Sequence, residues 1–163
     1  MILTQDPNLG PGGTPYPPAR WGAALTTEIR SLSVPASRVI VLGNIPQTPK
    51  SGPGCLSQNP HDVQACSAQN SPYIVVTSAA ERQAAATTGA RYIDVDPLFC
   101  STICTGVVGN YQPYWDPYHV TATYSYVVGE ALDELLDLPA YATPTSTSTT
   151  TAPTSVPYTA PTG

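Results

Sequence analysis

Asp116-Pro117-Tyr118-His119 sets a carboxylate and an imidazole three residues apart, in a loop that leads into a helix which Thr121 can cap. That spacing suits a catalytic pair. Asp116 can accept a hydrogen bond from one ring nitrogen of His119 and so fix its tautomer, while the other nitrogen faces a nucleophile as general base. Alone, an Asp-x-x-His is a weak signal, because most are surface turns with a satisfied histidine.

Other residues invite chemistry and have plainer readings. Asn44 follows Gly43 at the carboxyl end of a predicted strand, where open α/β sheets bind ligands, but the favoured reading is a turn cap. Asp94 and Asp96 resemble the paired acids of a glycosidase, yet no second feature supports that, and turn formation is the better account. His61 beside Asp62 reads as exposed. Tyr111, Tyr114, Trp115 and Tyr118 crowd the approach to His119, either as a platform for a sugar ring or as packing under a loop.

The four cysteines fall into two close pairs. Cys55 and Cys66 bracket a polar loop, and Cys100 and Cys104 enclose only Ser-Thr-Ile, so two local disulfides are the natural reading. Zinc is the rival, but the pairs do not form matched knuckles and neither His61 nor His119 stands at finger spacing. Disulfides imply an oxidising, extracytoplasmic setting.

Composition narrows the classes. A net charge of -5 excludes a basic nucleic-acid binder. No apolar run is long enough to span a bilayer, and Met1-Ile-Leu-Thr-Gln-Asp6 lacks the basic and apolar regions of a secretory signal. With 19 prolines and 12 glycines, the chain is expected to run through long irregular segments around a small core. From Ala142 to Gly163 it is Thr, Ser, Pro and Ala without charge, read as a disordered tail.

The elements that must position the pair occupy residues 1–141. Ile2-Leu3-Thr4 reads as the end of a strand. Trp21, Ala24, Leu25, Ile29 and Leu32 recur at helical spacing, and Arg38-Val-Ile-Val-Leu-Gly43 is a continuous apolar run of the kind buried in a parallel sheet. A long loop from Asn44 to Tyr73 follows. Ser78-Ala-Ala-Glu81 has the form of a capping box opening an Ala-rich helix that stops at Gly89, before the strand Arg91–Val95. In the last helix Tyr124, Val127, Val128, Ala131, Leu135 and Leu136 share a face, with Glu130, Asp133, Glu134 and Asp137 outward. Alternating strands and helices predict an α/β, doubly wound, mostly parallel sheet; only three strands are countable, so the domain is expected to be truncated at its N-terminus.

The pattern Tyr114-Trp-Asp-Pro-Tyr-His-Val-Thr-Ala-Thr-Tyr124, after a strand and before the last helix, resembles the final block of the SGNH (GDSL-like) hydrolases. The likeness is closest to the extracytoplasmic SGNH domains fused to bacterial membrane acyltransferases of family three. Val39-Ile-Val-Leu-Gly-Asn-Ile-Pro-Gln47, Asp62-Val-Gln-Ala-Cys66, Ala90-Arg-Tyr-Ile-Asp-Val-Asp-Pro-Leu-Phe-Cys100 and Val107-Val-Gly-Asn-Tyr111 are similar to that family in the same order. The resemblance implies a flavodoxin-like fold, with His119 as general base and Asp116 as its orienting partner in a Ser-His-Asp triad. The family's Gly-Asp-Ser occurs nowhere in the chain, and its third-block asparagine would fall near Thr4, Gln5 or Asp6, where the match is too poor to assign.

The expected function is therefore a fragment of a serine esterase or O-acyltransferase domain acting on acylated cell-envelope carbohydrate, carrying the Asp-His half of the triad and needing no cofactor or metal. Its expected partners are the carbohydrate and a membrane acyltransferase domain on the parent chain. The alternatives are a non-catalytic glycan-binding module, in which the acid and histidine brace an aromatic loop, or a structural extracytoplasmic protein.

Overall fold

A computed structural model describes residues 1–4, 6–7, 14–48, 50 and 52–137. Three short strands, β1 (Ile2–Leu3), β2 (Ile40–Leu42) and β3 (Arg91–Ile93), form a parallel sheet in the order β1-β2-β3. Leu3 pairs with Val41 and Val41 with Tyr92, which fixes the register. Parallel neighbours need long crossovers, and two helices supply them: α1 (Pro18–Ser31) between β1 and β2, and the longer helix Pro72–Thr88 between β2 and β3.

The side-chain alternation of the strands separates two cores. On one face Val39 and Val41 pack against Leu25 and Ile29 of α1 and against Ala84 and Ala85 of the longer helix. The two helices approach so closely that a side chain on Gly22 would meet Ala80 Cβ at 3.2 Å. The other face, with Ile40, Leu42 and Ile93, is covered by the last helix, Ala122–Leu136, through Tyr124 and Leu136. Helices thus lie on both sides of a parallel sheet, in agreement with the α/β expectation.

Several local expectations need correction. The crossover into β3 is not one long loop followed by a helix at Ser78. It contains a short helix, α2 (Pro53–Gln58), a 3-10 turn at Val63–Cys66, and then the long helix, α3, which begins at Pro72. Proline at the first helical position costs no hydrogen bond and presets φ, so the helix opens six residues ahead of the supposed capping box. Ser78 and Glu81 lie inside α3 and are buried. Strand β2 is shorter than the apolar run because Ala36–Arg38 turns as a 3-10 segment. Ala24 is exposed and Gly22 takes its place in the helix contact. On the final helix, α4, Val127 and Leu135 face solvent, while Val128 and Leu132 pack with Tyr124 and Leu136. Glu130, Asp133 and Glu134 of α4, and Asp137 just after it, are exposed as expected. The boundary at Tyr141 and the tail beyond it fall outside the described residues.

Both ends of α4 are held. Thr121 Oγ1 accepts from the backbone N–H of Tyr124 at 3.2 Å, and the Arg91 guanidinium on β3 donates to the carbonyls of Leu135, at 3.0 Å, and Leu136. A cation on the last carbonyls also opposes the negative end of the helix dipole.

All four cysteines are bridged, Cys55 to Cys66 and Cys100 to Cys104, which leaves a zinc ion no thiolate ligand. Ala68 and Cys104 exchange two backbone hydrogen bonds of 3.0 and 2.8 Å, so the two bridged segments are tied to each other. Loop-closure entropy predicts a stabilisation of about 3 kcal/mol for the first bridge and about 2 for the shorter second one. Replacing Cys55 and Cys66 together by serine should therefore lower urea stability more than replacing Cys100 and Cys104. The reverse order would show that loop entropy is not what the bridges contribute.

Candidate active site

The segment from Gln112 to Thr121 folds as a tight closed loop. Tyr114 and Val120 form an antiparallel bridge; the Trp115 N–H donates to His119 O at 2.8 Å and the Thr121 N–H to Pro113 O at 3.0 Å. At its tip Asp116 Oδ1 accepts from the backbone N–H groups of Tyr118 and His119, both at 2.8 Å. The side chain of Asp116 thus builds the turn that presents His119. His119 Nδ1 lies 2.8 Å from Asp116 Oδ2 and 3.0 Å from Oδ1. The structure brings together the two residues the sequence singled out.

The hydrogen bond from the His119 ring, followed by that from the Tyr118 N–H, holds the Asp116 carboxyl below the ordinary carboxylate range. An ionised Asp116 fixes the proton on Nδ1 and leaves Nε2 as the acceptor. The His119 side chain is 73% exposed, so a reacting group can reach it.

Three aromatic residues hold the loop. Tyr114 is wholly buried and its ring lies 5.9 Å from that of Phe99. Phe99 meets Tyr124 edge-on at 5.5 Å, and the Tyr124 hydroxyl donates to Leu98 O at 2.5 Å. The turn after β3, the Asp-His loop and the first turn of α4 are therefore locked to one cluster. The residue that precedes α2 lies against the loop from outside: Gly52 has φ +120°, and a side chain there would meet Trp115 O at 3.1 Å. Only glycine suits both conditions.

A cavity of about 400 Å³ opens at the carboxyl ends of the strands. Its rim includes Thr4, Asp6, Asn44, Gln47 and Tyr118, the neighbour of His119, and its floor is apolar, with Leu42, Phe99 and Leu132. Ligands of open α/β sheets bind at this end. Residues 4–134 match the sequence profile of a family described as "SGNH domain (fused to AT3 domains)". The chain belongs to this family. Among curated proteins and solved structures, nothing matches.

In this SGNH domain Asn44 does not cap a turn. Its Nδ2 donates to Glu81 Oε1 at 2.7 Å, and Trp21 Nε1 donates to the same oxygen at 2.7 Å. Glu81 is 3% exposed and its Oε2 is buried without a hydrogen-bond partner among the described residues. Burial raises the pKa of Glu81 against the opposing pull of the Trp21 and Asn44 hydrogen bonds. Sequence reasoning missed this group, since a glutamate in an Ala-rich helix carries no sign of which face it occupies.

With a pKa higher folded than unfolded, Glu81 keeps its proton in the native state while the unfolded chain releases it, so stability falls as pH rises from the unfolded value through the folded one. Glu81→Gln retains the Oε1 acceptor and cannot ionise. Its urea midpoint should gain on the wild type between acid and neutral pH, and parallel pH profiles would refute a buried, titrating Glu81.

Asp94 pairs with Arg82 at 2.8 Å and accepts from the Asp96 N–H at 3.1 Å. Asp96 accepts from Asn70 at 3.2 Å, and burial first, then Asp94, raises its pKa. His61 is exposed, and Asp62 accepts from the Ala65 N–H to cap the 3-10 turn. Of the positions near which the family's third-block asparagine would fall, Thr4 and Asp6 line the cavity, and Gln5 falls outside the described residues.

Proposed function

We propose that this chain is the carboxyl-terminal part of an SGNH serine esterase or O-acyltransferase domain acting on acylated cell-envelope carbohydrate, with His119 as general base and Asp116 as its orienting carboxylate. The observation that carries this reading is the 2.8 Å contact between His119 Nδ1 and Asp116 Oδ2, with Nε2 left to accept a proton. A serine hydroxyl placed at Nε2 loses its proton to the ring as it attacks the ester carbonyl. The imidazolium, stabilised by Asp116, then protonates the departing sugar oxygen. Water or a second sugar hydroxyl, deprotonated by the same nitrogen, releases the acyl group.

The serine itself belongs to a Gly-Asp-Ser segment that this sequence does not contain. In a doubly wound sheet such a segment follows a strand beside β1, and among the described residues the outer edge of β1 is unpaired. The domain spans residues 1–141 in this reading, followed by a Thr/Ser/Pro-rich tail. The two disulfides support an extracytoplasmic location, and the family description supports a membrane acyltransferase domain on the parent chain.

One observation favours a second reading, a glycan-binding module without catalysis: the absent Gly-Asp-Ser. Fluorophosphonate labelling of the chain joined to a family Gly-Asp-Ser segment separates the two. Labelling that depends on His119 supports the esterase, and its absence in a folded protein refutes it.

A further inference from the structure

We propose that a second cavity, flanking the Asp116–His119 loop, holds one ring of a neutral glycan on the face of Trp115. The cavity is about 620 Å³ and is lined in part by Asn110, Tyr111, Gln112, Trp115 and Thr123. No lining residue is charged. A phosphate, carboxylate or ammonium would meet no counter-charge on this lining, so the lining favours an uncharged ligand.

The aromatic residues of this loop divide sharply. Tyr114 is buried and serves packing, whereas Trp115 is 66% and Tyr111 41% exposed, both on the wall of this cavity. Large aromatic faces left to water at a concavity mark a binding surface. A sugar ring offers an apolar C–H face edged with hydroxyls. The indole takes the face, and the side chains of Asn110, Gln112 and Thr123 supply donors and acceptors for the edge. Gln112 Nε2 already donates to Tyr114 O at 2.7 Å, which orients its amide with Oε1 as the acceptor.

The site is coupled to the proposed chemistry through the backbone. Trp115 immediately precedes Asp116, and its N–H donates to His119 O at 2.8 Å, so a ring stacked on the indole sits beside the loop that carries the imidazole. This inference rests on the carbohydrate half of the proposed function and not on the serine.

The chain has two tryptophans, and Trp21 is 8% exposed, so emission changes on ligand addition report Trp115. The chain, and the chain joined to a Gly-Asp-Ser segment, are titrated with neutral hexaoses of glucose, mannose, arabinose and N-acetylglucosamine, and with an oligogalacturonate. The expected result is a saturable change with at least one neutral hexaose and none with the anion. By calorimetry Trp115→Ala should weaken that binding about tenfold or more, with Trp115→Phe and Tyr111→Ala less affected. Absence of binding by every neutral hexaose, or binding indifferent to Trp115→Ala, overturns the proposal. In the joined chain, fluorophosphonate labelling without hexaose binding overturns this subsite alone, and hexaose binding without labelling overturns the esterase reading alone.

Discussion

The chain by itself should resist a fluorophosphonate serine probe and hydrolyse simple acyl esters no faster than free imidazole does. Asp116 and His119 can activate a hydroxyl but hold none of their own, and an oriented imidazole with no bound nucleophile retains little of a triad's advantage. Joining a Gly-Asp-Ser segment upstream should create both labelling and turnover. In that protein His119→Ala should lower kcat by about a thousandfold or more. Asp116→Asn should also be severe. Asparagine can still accept from the Tyr118 and His119 backbone N–H groups through Oδ1, preserving the turn. Its Nδ2 would then donate to His119 Nδ1 and drive the ring proton to Nε2, the nitrogen that must accept. Esterase activity in the chain alone would make one of its own serines the nucleophile, and a joined domain indifferent to His119→Ala would remove the assignment.

The largest effect on stability is expected from Tyr114→Ala. The ring is wholly buried against Phe99, in the same cluster as Tyr124. Deleting it leaves a cavity where three elements meet, at a cost of about 3–5 kcal/mol, a large part of the ~5–15 kcal/mol that holds an ordinary domain folded. Tyr114→Phe should cost little by comparison, because the hydroxyl has only a 3.9 Å contact with Cys100 Sγ. Urea unfolding of the two variants measures the difference. Tyr114→Ala within about 1 kcal/mol of wild type would mean that the cluster does not carry the loop.

What the sequence determined by itself was local and covalent. The apolar run at 39–42 reads as a strand of a parallel sheet and holds β2, Gly89 at φ +82° ends α3 where expected, and Thr121 caps α4 because its hydroxyl lies three residues from the Tyr124 N–H. The Asp-His pair was legible because its geometry is set within four residues, by one carboxylate bonding the backbone of its own turn. The nearest cysteines could pair without help from the rest of the fold.

Tertiary structure decided what depends on partners distant in the chain. Which of Tyr111, Tyr114, Trp115 and Tyr118 is core was settled by Phe99 and Tyr124, which no periodicity in a loop reveals. Ser78 and Glu81 fit a capping box as a pattern, but proline at residue 72 had already started the helix, so the pair became buried face instead of helix entry. Asn44 looked like a turn residue until Glu81, 37 positions away, claimed its amide. Val127 and Leu135 lie on the apolar arc of α4 as a wheel, yet they are exposed while Val128 and Leu132 pack into the cluster with Tyr124 and Leu136, because which part of an apolar arc is covered depends on the partners that reach it.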